Sequence, residues 1–162
     1  MAKGIVIYHS RSGNTQEMAE IITDAMKKAG LDTISKQVAD VNIDELLEYD
    51  AIVVGSPTYY GLLASEIKKL FDDAVVHHGR LDGKVGGAFA SSANVGGGNE
   101  STVMSINQIL IVNGMIIQGD PQGDHYGPVS IGKPDSRVKQ QCIRRGQRIA
   151  ALTLKLFGKT TS

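Results

Sequence analysis

Three short segments of this 162-residue chain concentrate hydroxyls, amides and glycines and hold almost no acids. The first, His9-Ser10-Arg11-Ser12-Gly13-Asn14-Thr15, supplies five residues suited to a helix start where one cap would suffice. Unpaired N–H groups and the partial positive charge of a helix N-terminus favour a bound phosphate. Ser10, Ser12 and Thr15 can add hydroxyl donors, and Gly13 lets the backbone curl around the anion. The segment lacks the Gly-Lys-Ser/Thr of a nucleotide P-loop and the Gly-x-Gly-x-x-Gly of dinucleotide binders. The second, Ser56 to Gly61, sets Tyr59 and Tyr60 on a connection opened by Pro57 and Thr58. Such aromatics can stack on a planar ring, although one of the two is expected to pack on the protein's own surface. The third runs from Ser91 and Ser92 through Ala93, Asn94 and Val95 into Gly96-Gly97-Gly98. Its glycines let backbone N–H groups lie beside a flat heterocycle, at an entropic cost that a plain solvent loop would not explain.

Each segment directly follows a β-branched run. Gly4 to Tyr8, Thr33 to Val38, Ala51 to Gly55, Lys84 to Ala90 and Gly114 to Gln118 read as five strands. Between them lie amphipathic stretches. Met18, Ile22, Ala25, Met26 and Ala29 mark one helix, which Gly30 stops. Ile43 to Glu48 reads as a brief helix, and Ile67, Leu70, Phe71 and Ala74 share the face of the next. Val103, Ile106 and Leu110 mark another, and a long helix from about Asp135 turns Val138, Cys142, Ile149, Leu152 and Leu156 inward. Alternation of this kind predicts one α/β domain, residues 1–162, with a parallel sheet covered on both faces. Ligands of such sheets sit beyond the carboxyl ends of the strands, so the three segments should converge on one edge.

Composition narrows the function. Lys plus Arg and Asp plus Glu both total 17, a zero net charge that argues against nucleic acid or an anionic membrane as partner. No apolar run approaches the ~18 residues of a membrane span, and nothing at the N-terminus reads as a signal peptide. The single Cys142 excludes an internal disulfide and a thiolate metal site, and reads as a small apolar core residue. A cytoplasmic protein is expected. Arg144, Arg145 and Arg148 read as the solvated face of the last helix, and His77 and His78 as a solvated turn. Ile106, Ile109, Leu110, Ile111 and Val112 exceed what one buried helix face needs, the mark of a subunit interface.

A lysine-free phosphate loop, an aromatic second loop and a glycine-rich third loop, in this order, resemble the flavodoxin-like FMN proteins. The fuller match, across nearly the whole chain, is to the WrbA-type NAD(P)H:quinone oxidoreductases. It rests on Ser10 to Thr15, Gly55-Ser-Pro-Thr-Tyr-Tyr-Gly61, Gly96-Gly97-Gly98 with Glu100 and Thr102, and Tyr126-Gly127. The resemblance implies a flavodoxin-like three-layer sandwich with a five-stranded parallel sheet in order 2-1-3-4-5. It also implies that Ser10, Arg11, Ser12, Gly13, Asn14 and Thr15 hold the FMN phosphate. Pro57, Thr58, Tyr59, Tyr60 and Gly61 would then border the isoalloxazine, and Ser91, Ser92, Ala93, Asn94, Val95, Gly96 and Gly97 its other edge. His125 and Tyr126 would approach the ring, and Arg11 would reach out toward an incoming dinucleotide. A homodimer or homotetramer, with sites completed across subunits, is implied as well.

The chain departs from that pattern at several places. Val112-Asn113 stand where the family often has a His-His pair, Tyr59-Tyr60 replace Arg-Phe, and there is no tryptophan. The long insertion before the third strand is missing. The implied activity is electron transfer from NAD(P)H through FMN to a quinone or similar small acceptor, with no protein nucleophile. A flavodoxin-type electron carrier is the alternative. Carriers of that kind use acidic faces to steer toward basic partners, and the neutral balance here runs against it.

Overall fold

A computed structural model describes residues 1–158, so residues 159–162 of the expected single domain lie outside the described residues. The elements run in the order β1 (Lys3–Tyr8), α1 (Asn14–Lys28), β2 (Asp32–Gln37), β3 (Ala51–Tyr59) and β4 (Leu62–Leu63). Then come α2 (Ser65–Asp73), β5 (Val85–Ser92), α3 (Asn99–Val112), β6 (Ile116–Ile117), β7 (Val129–Ile131) and α4 (Ser136–Phe157). Short 3₁₀ turns fill Val38–Asp40, Ile43–Glu48 and Ala74–His77, so the brief helix expected at 43–48 is a tighter 3₁₀ turn. It opens on a capping box in which Asn42 and Glu45 satisfy each other's backbone N–H groups.

The sheet order is β2-β1-β3-β5-β6, every one of these pairs parallel, which is the expected flavodoxin-like arrangement. Two cores sandwich it. Ile5, Ile7, Ile52 and Val54 pack under α2 and α3, while Val6, Val53, Val85 and Phe89 pack under α1 and α4. Strands buried on both faces explain the unbroken β-branched runs that alternate their side chains between these two layers. The last helix obeys the same logic up to its end: Val138, Cys142 and Ile149 are buried, but Leu156 is exposed, contrary to expectation.

Among the described residues seven strands occur where five were expected. β4 is a two-residue strand folded back antiparallel on β3. The fifth position is split: β6 pairs with Val85–Gly86, β7 pairs with Ala90–Ser92, and residues 118–128 leave the sheet between them. Pro121 has no N–H to give a ladder, and carboxylates at Asp120 and Asp124 turn the segment by accepting from Gln122 N and Val129 N. Helix α4 fastens this detour. Arg145 donates to Gln118 O at 2.6 Å, Arg148 to Gly119 O at 2.8 Å, and Arg144 to both Asp120 oxygens at 2.5 and 2.9 Å. The three arginines are therefore not a solvated face. Arg145 is only 3% exposed, and burial pushes its pKa down to about 10.

Candidate functional site

All three loops meet at the carboxyl edge of β1, β3 and β5. Gly13 precedes helix α1 as its N-cap, with no side chain capping the first-turn N–H groups, which leaves them free for an incoming acceptor. Gly13 N itself donates to Ser10 Oγ at 3.1 Å, folding the first loop back on itself. Thr15 Oγ1 lies 2.9 Å from Ser91 Oγ in a buried contact that ties the start of α1 to the end of β5. His9 N donates to Gly55 O at 3.2 Å and joins the first loop to β3.

The second and third loops are fastened to each other. Tyr60 and Gly61 form the two-residue turn between β3 and β4, and both have positive φ, 48° and 83°. Such a turn matches the twist of a hairpin but strains a tyrosine. Gly98 caps α3 with φ 99°, and a Cβ there would come within 2.8 Å of Gly61 Cα, so two backbones touch where only glycine fits. Ser101 Oγ lies 2.6 Å from Gly61 O and 2.9 Å from Gly98 O, and Thr102 Oγ1 lies 3.0 Å from Thr58 Oγ1. Within the third loop, Asn99 Nδ2 donates to Ser92 Oγ at 3.1 Å.

Between these loops lies a cleft of about 160 Å³, lined by Arg11, Ser12, Asn14, Thr15, Pro57, Thr58, Tyr59, Ser91, Ser92, Ala93 and Gly132. No carboxylate lines it. Gly132 was missed in the sequence: it comes after β7, a three-residue strand whose Val129-Ser130-Ile131 alternation is too short to announce itself. Gly132 N donates to Ser92 O at 2.8 Å, extending that strand past the sheet edge. Tyr60 and Val95 stand at the open rim, fully and 85% exposed. Asn94, Gly96 and Gly97 are exposed beside Val95 in the same loop.

The two tyrosines have separate fates. Tyr59 is half-buried, edge-on to the His9 ring at 6.1 Å, with the Arg11 guanidinium 6.0 Å from its centroid. Arg11 thus lies over Tyr59 and is itself exposed to solvent. Tyr60 makes no such contact and presents its ring outward. Tyr126 does not line the main cleft. With His125, Glu100 and Gly127 it lines a second cleft of about 190 Å³, and His125 Nδ1 donates to Asp120 O at 2.6 Å. His77 is not loose either, since its Nε2 lies 2.7 Å from Asp44 Oδ1, whereas His78 is exposed. Cys142 is buried, and desolvation pushes its thiol up to about 12. No group of side chains among the described residues could hold a metal ion.

A helix start without a side-chain cap, hydroxyls around it and no carboxylate in the lining make a donor set that fits a phosphate monoester. The flavodoxin domain model matches residues 5–100. A flavodoxin of Aquifex aeolicus is 39% identical over 93% of this chain and 86% of its own length. An NAD(P)H dehydrogenase (quinone) of Archaeoglobus fulgidus is 32% identical over 96% of this chain and all of its own. Among solved structures, a flavodoxin from the domain Archaea superposes with a TM-score of 0.79 at 33% identity, covering 93% of this chain and 98% of that one. The flavodoxin, WrbA-like protein of Agrobacterium tumefaciens shares the fold, with a TM-score of 0.80 at 22% identity over 96% of this chain and 99% of that one. By fold, by the extent of the family match and by identity to these relatives, the chain belongs to the flavodoxin family and is similar over its described length to the NAD(P)H dehydrogenases (quinone).

Proposed function

We propose that the chain is an FMN-dependent oxidoreductase that passes electrons from NAD(P)H to a quinone or similar small acceptor. The observation that carries this reading is the acid-free cleft at the uncapped start of α1, with an outward aromatic at its rim. Ser10, Ser12, Gly13, Asn14 and Thr15 would hold the phosphate through first-turn N–H groups and hydroxyls. A cleft of about 160 Å³ suits a phosphate and the start of a sugar-alcohol chain, which leaves a tricyclic ring to the rim. There Thr58, Tyr59 and Tyr60 would border one side and Ala93 to Gly97 the other.

When bound, FMN supplies hydride acceptance and two-electron delivery; the chain supplies position and access. The Gly61–Gly98 contact and the Ser101 and Thr102 bonds fix the separation of the two rim loops. Tyr60, held outward by its turn, offers a flat face to a planar substrate. Hydride and electron transfer through a flavin asks no side chain to attack the substrate.

The test is anaerobic. Addition of NADH or NADPH should bleach the flavin spectrum of the loaded protein, and benzoquinone should restore it. No bleaching by either nucleotide would remove this reading in favour of an electron carrier. A stable one-electron-reduced spectrum during photoreduction would support the carrier.

Self-association belongs to the same proposal. On α3, Ile111 and Val112 are 57% and 74% exposed, an apolar surface at the end of a helix whose other face is already in the core. A dimer or tetramer by light scattering is expected, and a monomer would remove the interface. No helix among the described residues is long and apolar enough to cross a membrane. A cytoplasmic place is part of this reading, since the lone buried thiol asks nothing of an oxidising compartment.

A further inference from the structure

His9, at the start of the first loop, holds a buried polar atom with no hydrogen-bond partner, its Nε2. Glu66 Oε1, from the first turn of α2, lies 3.8 Å from it, too far for a hydrogen bond and too near for a water between them. This carboxylate is kept charged. Its own backbone N–H holds the Glu66 carboxyl below the usual carboxylate range against partial desolvation, with smaller help from His9, Ser65 and Arg11. Among the described residues it pairs with no lysine or arginine. The His9 side chain is 14% exposed, so a solvent proton can reach the ring although Nε2 itself is covered. A protonated imidazole carries N–H on both nitrogens, and Nε2 then has a hydrogen to give to Glu66. Half of the Glu66 side chain is in solvent and free to swing the remaining distance.

We propose that His9, with Glu66 as its counter-ion, takes up a proton from solvent when the flavin site is reduced, and so couples electron entry to proton binding. The proposal rests on the functional reading above and adds how the site meets the charge that reduction brings. His9 is placed for this. Its ring lies edge-on to Tyr59 at 6.1 Å, and Tyr59 lines the cleft. Reduction puts negative charge in that cleft, whose lining holds no carboxylate and no imidazole to take a proton. The step forms one N–H bond on His9 with a proton from water, while the electrons go to the bound cofactor alone.

The remaining groups around His9 leave Glu66 as its partner. Arg11, in the same loop, is a cation and stands 6.0 Å from the Tyr59 ring. On α2, Lys69 and Asp73 share a cleft with His9 and neutralise each other at 2.7 Å. Gln37 at the end of β2 is uncharged, and the turn that follows it meets this cleft with apolar side chains. Coupling of two binding events is reciprocal. If reduction tightens proton binding at His9, then the reduction potential must rise as the pH falls through the titration of that ring.

Proton NMR of the imidazole signals tests this in FMN-loaded protein, from about pH 5 to about pH 8, where imidazoles change charge. The chain has four histidines, and the signal of His9 is the one lost in His9→Gln. Should that variant fail to fold, the signals lost in His77→Gln, His78→Gln and His125→Gln leave His9 by elimination. Reduction with dithionite should tighten proton binding at His9 by about threefold or more. Glu66→Gln should weaken it about fivefold in both redox states, the effect of a unit charge at this separation in water-like surroundings. The rise of the reduction potential, followed by spectroelectrochemistry, should move to lower pH in that variant by the same factor. A His9 titration that is identical in oxidised and reduced protein, or unmoved by Glu66→Gln, overturns the proposal even if NADPH still bleaches the flavin. Folded protein that takes up no FMN overturns the functional reading, and the coupling with it.

Discussion

At the scale of single residues, the site is made by hydroxyls and backbone N–H groups, so its tests are small deletions. Ser91→Ala removes the buried partner of Thr15 Oγ1. Loss of a net contribution of ~1–1.5 kcal/mol should weaken FMN binding about tenfold, measured by quenching of flavin fluorescence. Tyr60 is the residue whose conformation and exposure both run against its type: an aromatic at φ 48° with nothing packed on it. Tyr60→Gly should raise stability to urea by ~0.5–1 kcal/mol while weakening flavin binding, since the strain and the ring leave together. A variant neither more stable nor weaker in binding would show that the tyrosine serves no ligand. Much of this was legible in the sequence, because hydroxyls, glycines and paired tyrosines come directly after strands there. The fate of each tyrosine was not. It depends on His9 and Arg11 lying beside Tyr59, and on a turn that directs Tyr60 away from both.

Among elements, the divided fifth strand is the departure with the clearest physical cause. The run from Gly114 to Gln118 has strand composition, yet only Ile116–Ile117 pair. The chain beyond Ile117 is pulled out of the sheet by carboxylate turns and by arginines of α4, and spacing along one helix cannot reveal what lies beneath it. For the same reason Arg145 reads as solvated until the detour is seen above it. The Asp120–Arg144 pair gives this element a pH dependence. The Arg144 hydrogen bonds hold the Asp120 carboxyl well below the usual carboxylate range. A depressed pKa means its stabilisation is complete above ~pH 4 and is lost as acid protonates the group below that. Asp120→Asn should therefore be less stable than the wild type at pH 7, by ~2–3 kcal/mol. The gap should shrink as the pH falls from ~4 toward ~2, read as the urea midpoint at each pH. A gap constant across that range would remove the ion pair from the fold's support.

At the scale of the whole molecule, the strand order, both core layers and the edge where the loops gather result from the alternation of β-branched runs and amphipathic helices. That pattern is repeated along the chain and survives local error, which is why a misjudged strand end or an exposed Leu156 leaves the architecture unchanged. Gly98 shows how the parts constrain one another: a methyl group there would force α3 away from the β3–β4 turn and open the rim. Gly98→Ala is expected to cost ~1–3 kcal/mol through its positive φ alone. The most direct measurement is titration of FMN into flavin-free protein, monitored by fluorescence. One flavin per chain should be quenched with submicromolar affinity, and Ser91→Ala should bind about tenfold more weakly. Fluorescence that stays at the level of free FMN in properly folded protein would contradict the assignment of the cleft.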